Sequence, residues 1–400
     1  MSSNIPYTPV LPSDEALHQS RLPDKSLALS LAAARLAGQV APQTRHTIIR
    51  HMAVINSYYS NLIEGNKTRP HEIRAAQQGR LLEDPARRDL QLESLAHIKV
   101  QQWIAEQNLS LDTLFSPGFI RAIHHEFYRY MPESLYELKN AQGGVLGRVV
   151  PGQWRTQAVT VGRHLPPEAE SIDDLMQQFC KVYHPDRFSG DRKIIAVMCA
   201  HHRLAWIHPF ADGNGRVMRL FTDTALKTMG MESEGIWCLS RGLARRITDY
   251  KSVLANADMP RQGDLDGRGQ LSQQTLLEFC EFMLDTALDQ VSYMSGLLTL
   301  DAMQERIQRY IEARNDGRVP GMGAIKETAA LILYNAFARG ALKRSMAMEL
   351  CGMSERSARR LLSQLKEEGL LSETSSRSDL MWEIPEHVEH WYFPQLTPNI

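Results

Sequence analysis

The segment that most restricts this chain is an apolar run from residue 194 to 207 that stops at His208-Pro209-Phe210-Ala211-Asp212-Gly213-Asn214-Gly215-Arg216-Val217-Met218-Arg219. A run of that length and polarity predicts a central buried helix over 191–207, which delivers His208 at its end. Gly213 and Gly215 lack a Cβ, so the backbone between them can curl and aim several N–H groups at one point. A second helix, expected over 216–228, then opens with its positive end at the turn. A mainly α core built around this helix–turn–helix is therefore required.

The turn is also a chemical assembly. Curled N–H groups make an anion cradle at Gly213-Asn214-Gly215. Arg216 and Arg219 lie three apart on one helix face, and each offers a fork of donors to a separate phosphate. Asp212 is a carboxylate that suits a Mg²⁺ ion bridging phosphate oxygens. His208 stands where a neutral imidazole can take a proton from a hydroxyl. A glycine turn between two core helices would explain the glycines alone, but not the convergence. Neither Gly-x-x-x-x-Gly-Lys-Ser/Thr nor a post-strand Gly-x-Gly-x-x-Gly occurs, which excludes a P-loop or dinucleotide fold.

His208 to Arg219 resembles the signature of the Fic family, His-x-Phe-x-Asp/Glu-Gly-Asn-Gly-Arg-x-x-Arg, with every fixed position filled. The resemblance implies a protein adenylyltransferase, which moves AMP from ATP to a Tyr, Thr or Ser hydroxyl of a protein, itself included. It makes His208 the base, Asp212 the Mg²⁺ ligand, and Gly213, Asn214 and Gly215 the α-phosphate cradle. Arg216 and Arg219 hold the outer phosphates. The resemblance implies a protein substrate as partner; a homodimer is a further expectation, and, as no apolar run approaches membrane length, no membrane partner is expected.

Upstream, Ile48, Met52, Ile55, Tyr59 and Leu62 recur at helical spacing, which predicts an amphipathic helix over 48–64 stopped by Gly65. Glu64 then falls at the negative end of a helix and needs a cationic partner, unless solvent screens it. Ser60-Asn61-Leu62-Ile63-Glu64-Gly65 resembles the inhibitory motif of Fic proteins, Ser/Thr-x-x-x-Glu-Gly/Asn. That implies a Glu64–Arg219 pair which removes the γ-phosphate contact and inhibits the enzyme.

Residues 143–167 break the helical habit and predict a short hairpin, with 157–162 extended. By the same resemblance it is a target-binding flap with Val159, Thr160, Val161 and Gly162 at its edge, and Val161 and Gly162 also beside ATP. The Gly152-Gln153-Trp154-Arg155 stretch resembles the family's approach to that flap. Tyr250 resembles an adenine-pocket residue, although an aromatic at that spacing equally fits plain core. His201 and His202 lack zinc-helix spacing, and Asp264 to Thr275 fails the calcium-loop pattern at Arg268 and Thr275.

The 400 residues imply two or three domains, here 1–110 with the inhibitory helix at about 46–65, a core over 111–299, and a module over 300–400. With 45 basic and 46 acidic residues, no global field points to nucleic acid or membrane. Five scattered cysteines without metal spacing fit free thiols in a reducing, cytoplasmic setting. Further helices are expected over 26–36, 71–82, 88–106, 117–130, 171–183, 239–255 and 271–298.

The last hundred residues read differently. Helices over 325–338, 343–350 and 355–368 precede a hairpin at 370–374 and 380–384, an order that resembles a winged helix-turn-helix. Arg356, Arg359 and Arg360 project from its third helix, and residues 339–366 hold seven basic and two acidic side chains. DNA contact is one reading, while protein contact or dimerisation is the other, favoured by Glu367, Glu368 and Glu373. The functional alternatives are a DNA-binding regulator that uses the Fic core as an ATP sensor, and a Fic enzyme performing de-AMPylation or another nucleotidyl or phosphoryl transfer.

Overall fold

The computed structural model describes residues 5–139, 144–229, 231, 235–375 and 377–397. Chain order begins α1 (Asp14–Gln19), α2 (Leu22–Gln39), α3 (Pro42–Ile63), α4 (Pro70–Gln77), α5 (Pro85–Glu106), α6 (Leu111–Leu114) and α7 (Pro117–Arg129). Strands β1 (Glu137–Lys139) and β2 (Val145–Arg148) follow, then α8 (Ile172–Tyr183), α9 (Arg192–Ile207), α10 (Asn214–Thr228), α11 (Leu239–Arg245), α12 (Ile247–Asn256) and α13 (Gln273–Leu297). The remainder comprises α14 (Leu300–Asn315), α15 (Thr328–Arg339), β3 (Ala341–Leu342), α16 (Arg344–Cys351), α17 (Glu355–Glu367), β4 (Leu371–Ser372), β5 (Leu380–Trp382) and α18 (Glu389–Tyr392). The fold is mainly α, as the sequence requires.

Two compact units divide the chain. One comprises residues 1–32, 56–232 and 238–290, and the other 33–55, 233–237 and 291–400. The first unit centres on α9, which is buried on every face from Ile194 to Leu204. Its histidines find partners within the core: one nitrogen of His201 meets Thr222 Oγ1 at 2.8 Å and the other meets Tyr250 Oη at 2.8 Å. His202 Nε2 reaches the Leu254 carbonyl. These are core histidines, and no group of three metal-type ligands occurs among the described residues. All five cysteines are free and buried. No described helix is long and apolar enough to cross a membrane.

The expected hairpin is displaced. Strands β1 and β2 pair antiparallel, Glu137 opposite Arg148, whereas 157–160 belong to no strand. Gly143, where the hairpin was expected to start, lies outside the described residues. Beyond β2, only a tight turn forms, where Val161 and His164 exchange backbone hydrogen bonds around Gly162 at φ 60°. The alternation over 157–162 has no apolar face to bury, as Thr160, Val161 and Gly162 are all exposed. The helix expected over 239–255 is broken at Arg246 into α11 and α12.

In the second unit, β3, β5 and β4 form a three-stranded antiparallel sheet with β5 central. Trp382 on β5 is buried against Phe337 of α15 and Tyr392 of α18. Helix α17 buries Ala358, Leu361, Leu362 and Leu365 on one face and leaves Arg356, Arg359 and Arg360 exposed on the other. The first part of α3 belongs here also, with Thr44 Oγ1 donating to the Phe337 carbonyl and Arg50 gripping both oxygens of Glu383.

One ion pair locks this unit from within. Arg314 is 1 % exposed, and its two terminal nitrogens donate to the two oxygens of Glu368 at 2.6 Å each. Removing one partner leaves a buried charge uncompensated. Glu368→Ala is therefore expected to destabilise residues 291–400 by about 3–5 kcal/mol, read from denaturant unfolding.

Candidate functional site

Helix α9 ends at His208, whose backbone is left-handed with φ 48° and ψ 62°. Glycine usually fills such a position, so a histidine there is held against steric strain. Arg155 does the holding: its Nε donates to the His208 carbonyl at 2.8 Å, and its backbone N–H donates to the Pro209 carbonyl at 2.9 Å. The same guanidinium donates to the carbonyls of Gln157 and Pro167, so both ends of the expected flap are fastened to the histidine's support. His164, within that segment, contacts the Trp206 carbonyl of α9 through Nε2 at 2.7 Å.

Burial, together with the positive field of Arg155 and with His164, pushes the His208 pKa down to about 4, against the opposing effect of a hydrogen bond to the Ala205 backbone. The imidazole is thus neutral near pH 7, and the Ala205 bond leaves one ring nitrogen to accept a proton.

The turn after His208 is pinned by its own residues. Asn214 Oδ1 accepts from the Phe210 N–H at 2.9 Å, and Asn214 Nδ2 donates to the Phe210 carbonyl at 2.8 Å. Phe210 in turn stacks on His124 of α7 with ring centroids 3.9 Å apart. His124 accepts from the Gly152 N–H through Nδ1, so its other nitrogen donates to the Asp212 carbonyl. One turn later, Tyr128 donates its phenol to Asp212 Oδ2 at 2.8 Å. His124 and Tyr128 are four apart on an expected helix, but nothing in the sequence links that face to the turn.

Gly213, at φ 81°, precedes α10, and a Cβ there would press on the Tyr128 ring at 3.2 Å. The first N–H groups of α10 therefore face the cleft with its positive end. Into that cleft comes Glu64. Helix α3 stops at Ile63, and Gly65 takes φ 95° to turn the chain, which leaves Glu64 at a negative helix end. Its Oε1 accepts from Arg219 Nη2 at 2.8 Å, while Ser60 accepts from Arg219 Nε through its hydroxyl and from Nη2 through its carbonyl, both at 2.9 Å. Burial alone would raise the Glu64 pKa, but Arg219 and Arg216 together outweigh it and hold the carboxyl below its ordinary range.

The carboxylate rests on the glycine. A Cβ at Gly215 would run into Glu64 Oε1 and lie 3.1 Å from Arg219 Nη1. Arg216 pairs with Glu93 of α5, lies 3.4 Å from Asp212 Oδ2, and covers the Phe127 ring. Glu93 is a site residue that the sequence did not disclose. Of the remaining candidates, Val159 is half-buried, Thr160, Val161 and Gly162 are exposed, and Tyr250 is buried in the core with its phenol on His201. Asp212 is half-exposed beside the cradle, with Oδ2 accepting from Tyr128.

The glycine offers a test that needs no activity. Gly215→Ala is expected to cost about 1–3 kcal/mol by overpacking in the intact chain. The same change should cost markedly less beside Glu64→Gly, as read from a thermal-melt double-mutant cycle.

The Fic/DOC family matches residues 114–226. Among curated proteins, protein adenylyltransferase Fic of Drosophila ananassae is 32% identical over 114 residues, which cover 28% of this chain and 23% of that protein. Protein adenylyltransferase Fic of Drosophila melanogaster is 39% identical over 89 residues, covering 22% and 18%. The chain thus spans less than a quarter of these relatives. Among solved structures, a Fic family protein from Desulfovibrio desulfuricans G20 has TM-score 0.52 at 19% identity, covering 90% of this chain and 96% of that one. Fic-1 from C. elegans has TM-score 0.53 at 15% identity, covering 70% and 74%. Both share the fold. Residues 114–226 of this chain thus match the Fic/DOC family and, with these solved structures, share its fold.

Proposed function

We propose that this protein is an autoinhibited protein adenylyltransferase, which transfers AMP from ATP to a Tyr, Thr or Ser hydroxyl of a protein, its own chain included. The observation that carries the reading is the carboxylate of Glu64 on Gly215 and Arg219 at the positive end of α10, because it occupies a place built for a phosphate. With Glu64 withdrawn, Arg219 is free for the γ-phosphate, and the N–H groups of 213–215 for the α-phosphate. His208 removes the proton as the acceptor oxygen bonds to the α-phosphorus, and the bond to the β-phosphate oxygen breaks to release pyrophosphate. Asp212, freed from Tyr128, would hold Mg²⁺, which neutralises charge on the leaving phosphates. Residues 158–160, which belong to no strand, offer backbone for a target strand, with Arg155 fastening the carbonyls of Gln157 and Pro167 on either side.

The arginines exposed on α17 support a second reading for residues 291–400, a winged helix whose Arg356, Arg359 and Arg360 meet a nucleic-acid backbone. Glu355, already paired with Arg359, weakens that face. Sensing of ATP, or reversal of the modification, uses the same cleft and is separated from transfer by the product.

Incubation with α-labelled ATP and Mg²⁺ tests the main reading. Labelling of protein is expected to rise at least about tenfold in Glu64→Gly over the native chain, the equilibrium worth of a charge-assisted contact, and to vanish in Glu64→Gly/His208→Ala. Absence of label on this protein and on candidate targets, with ATP still bound, would overturn transfer and favour the sensor.

A pH profile tests the base. Since His208 must be neutral to accept a proton and its pKa is lowered to about 4, transfer by Glu64→Gly should keep its rate well below 6.5 and fall only as the pH approaches 4. An acid limb at 6.5 would exclude His208 as the base in this setting.

A further inference from the structure

Both arginines of the signature are committed to carboxylates, yet only one of those carboxylates belongs to the inhibitory motif. We propose that Glu93 of α5 is a second anionic occupant of the nucleotide-phosphate site, competing with phosphate for Arg216 as Glu64 competes for Arg219, and is thereby a determinant of nucleotide affinity. The proposal rests on the reading of the cleft as an ATP site.

Arg216 is held between two carboxylates and a ring. Nη1 is paired with Glu93 Oε1, Nη2 faces Asp212 Oδ2 at 3.4 Å, and the guanidinium carbon sits 4.8 Å over the Phe127 ring. Arg216 is 5 % exposed, and its Nε is buried with no hydrogen-bond partner. Both terminal nitrogens already face a carboxylate, so a phosphate oxygen that approaches either of them competes with one. Asp212, half-exposed, would turn to a metal. Glu93 has no such alternative role, and its charge opposes the incoming nucleotide whether or not it leaves.

Glu93 is also tied to the segment that carries Glu64. Its Oε2 accepts from Asn66 Nδ2 at 2.7 Å, and the same nitrogen donates to the Leu90 carbonyl at 2.9 Å. Asn66 is buried, its N–H donates to the Asn61 carbonyl of α3, and its Oδ1 accepts from the Thr68 N–H. A residue two positions beyond Glu64 therefore orients the carboxylate that holds Arg216. The two blocking pairs are joined through one turn of chain, and moving Glu64 outward strains the hold on Glu93.

The test measures binding, not turnover. A non-hydrolysable ATP analogue with Mg²⁺ is titrated by calorimetry into Glu64→Gly, Glu64→Gly/Glu93→Gln and Glu64→Gly/Asn66→Ala, with adenosine as the phosphate-free control. Glu93→Gln is expected to tighten the analogue by about three- to tenfold, the scale of one partly exposed like charge removed. Adenosine affinity should be unchanged, which also reports an intact fold. Asn66→Ala keeps the charge but removes the tether, and should shift affinity the same way by less. Should Glu93→Gln misfold, the Asn66 variant carries the test. Unchanged or weaker analogue binding in a folded variant would overturn the proposal and make Glu93 a support that orients Arg216. If Glu64→Gly itself binds adenosine but gains nothing from the phosphates, the ATP reading of the cleft falls first. Protein labelling by Glu64→Gly separates that case from a fault in Glu93 alone.

Discussion

Two guanidinium groups buried at the positive end of one helix set the terms for everything around them. Arg216 and Arg219 are 5 % and 2 % exposed, and both stand over the first turn of α10. Such a concentration of positive charge out of water is stable only with anions beside it. The resting chain supplies them from α5 and from the end of α3 as Glu93 and Glu64. On the proposed mechanism, entry of a polyphosphate is an exchange of one set of anions for another, and the cost of burying the arginines is common to both states. The difference between resting and loaded forms is therefore small compared with either interaction alone, which is what a switch requires.

The histidine is built with the opposite logic. Its surroundings are fixed before any ligand arrives: a left-handed backbone held by Arg155, a turn closed by Asn214, and a stack of Phe210 on His124. Removing the ring from water keeps it neutral. If His208 is the base, as proposed, little is left to reorganise at the moment of proton transfer, which is the main advantage of a preformed site. Rigidity at His208 and exchangeability at the arginines sit within one turn of chain, because the glycines between them add no side-chain bulk.

Sequence disclosed the parts whose physics is local. Helix α9 lies within one residue of expectation, since a mostly apolar run of that length calls for burial and its stop is marked by a proline and glycines. Helix α3 ends next to Glu64 for the same reason, with Gly65 supplying the positive φ. What failed was pairing at a distance. Strands β1 and β2 are three and four residues long and set Leu138, Val145 and Leu146 among charged residues without a buried face, so alternation did not mark them, and the run at 157–162 alternates without a partner. Strand β3 is two residues long, too short to carry a period. Tyr250 fits core and pocket equally by spacing, and its bond to His201 is set by packing between helices. Glu93 was invisible because α5 offers many charged positions, and only the placement of α10 makes one of them special.

On the proposed mechanism, Gly215 explains why inhibition would be carried by a separate segment. The space left by its missing Cβ receives Glu64, and on the proposed mechanism receives a phosphate oxygen after Glu64 has gone. Any residue built into the cleft itself to block it would have to occupy that space, and would destroy the cradle along with the access. A blocking group on another helix leaves the cradle intact and can be withdrawn. Its negative charge is disfavoured at the end of its own helix and favoured at the start of α10, so the contact is made only while the two ends are apposed. A carboxylate that matches phosphate in charge, fits the same gap and belongs to a different segment is therefore the least destructive way to keep such a site closed.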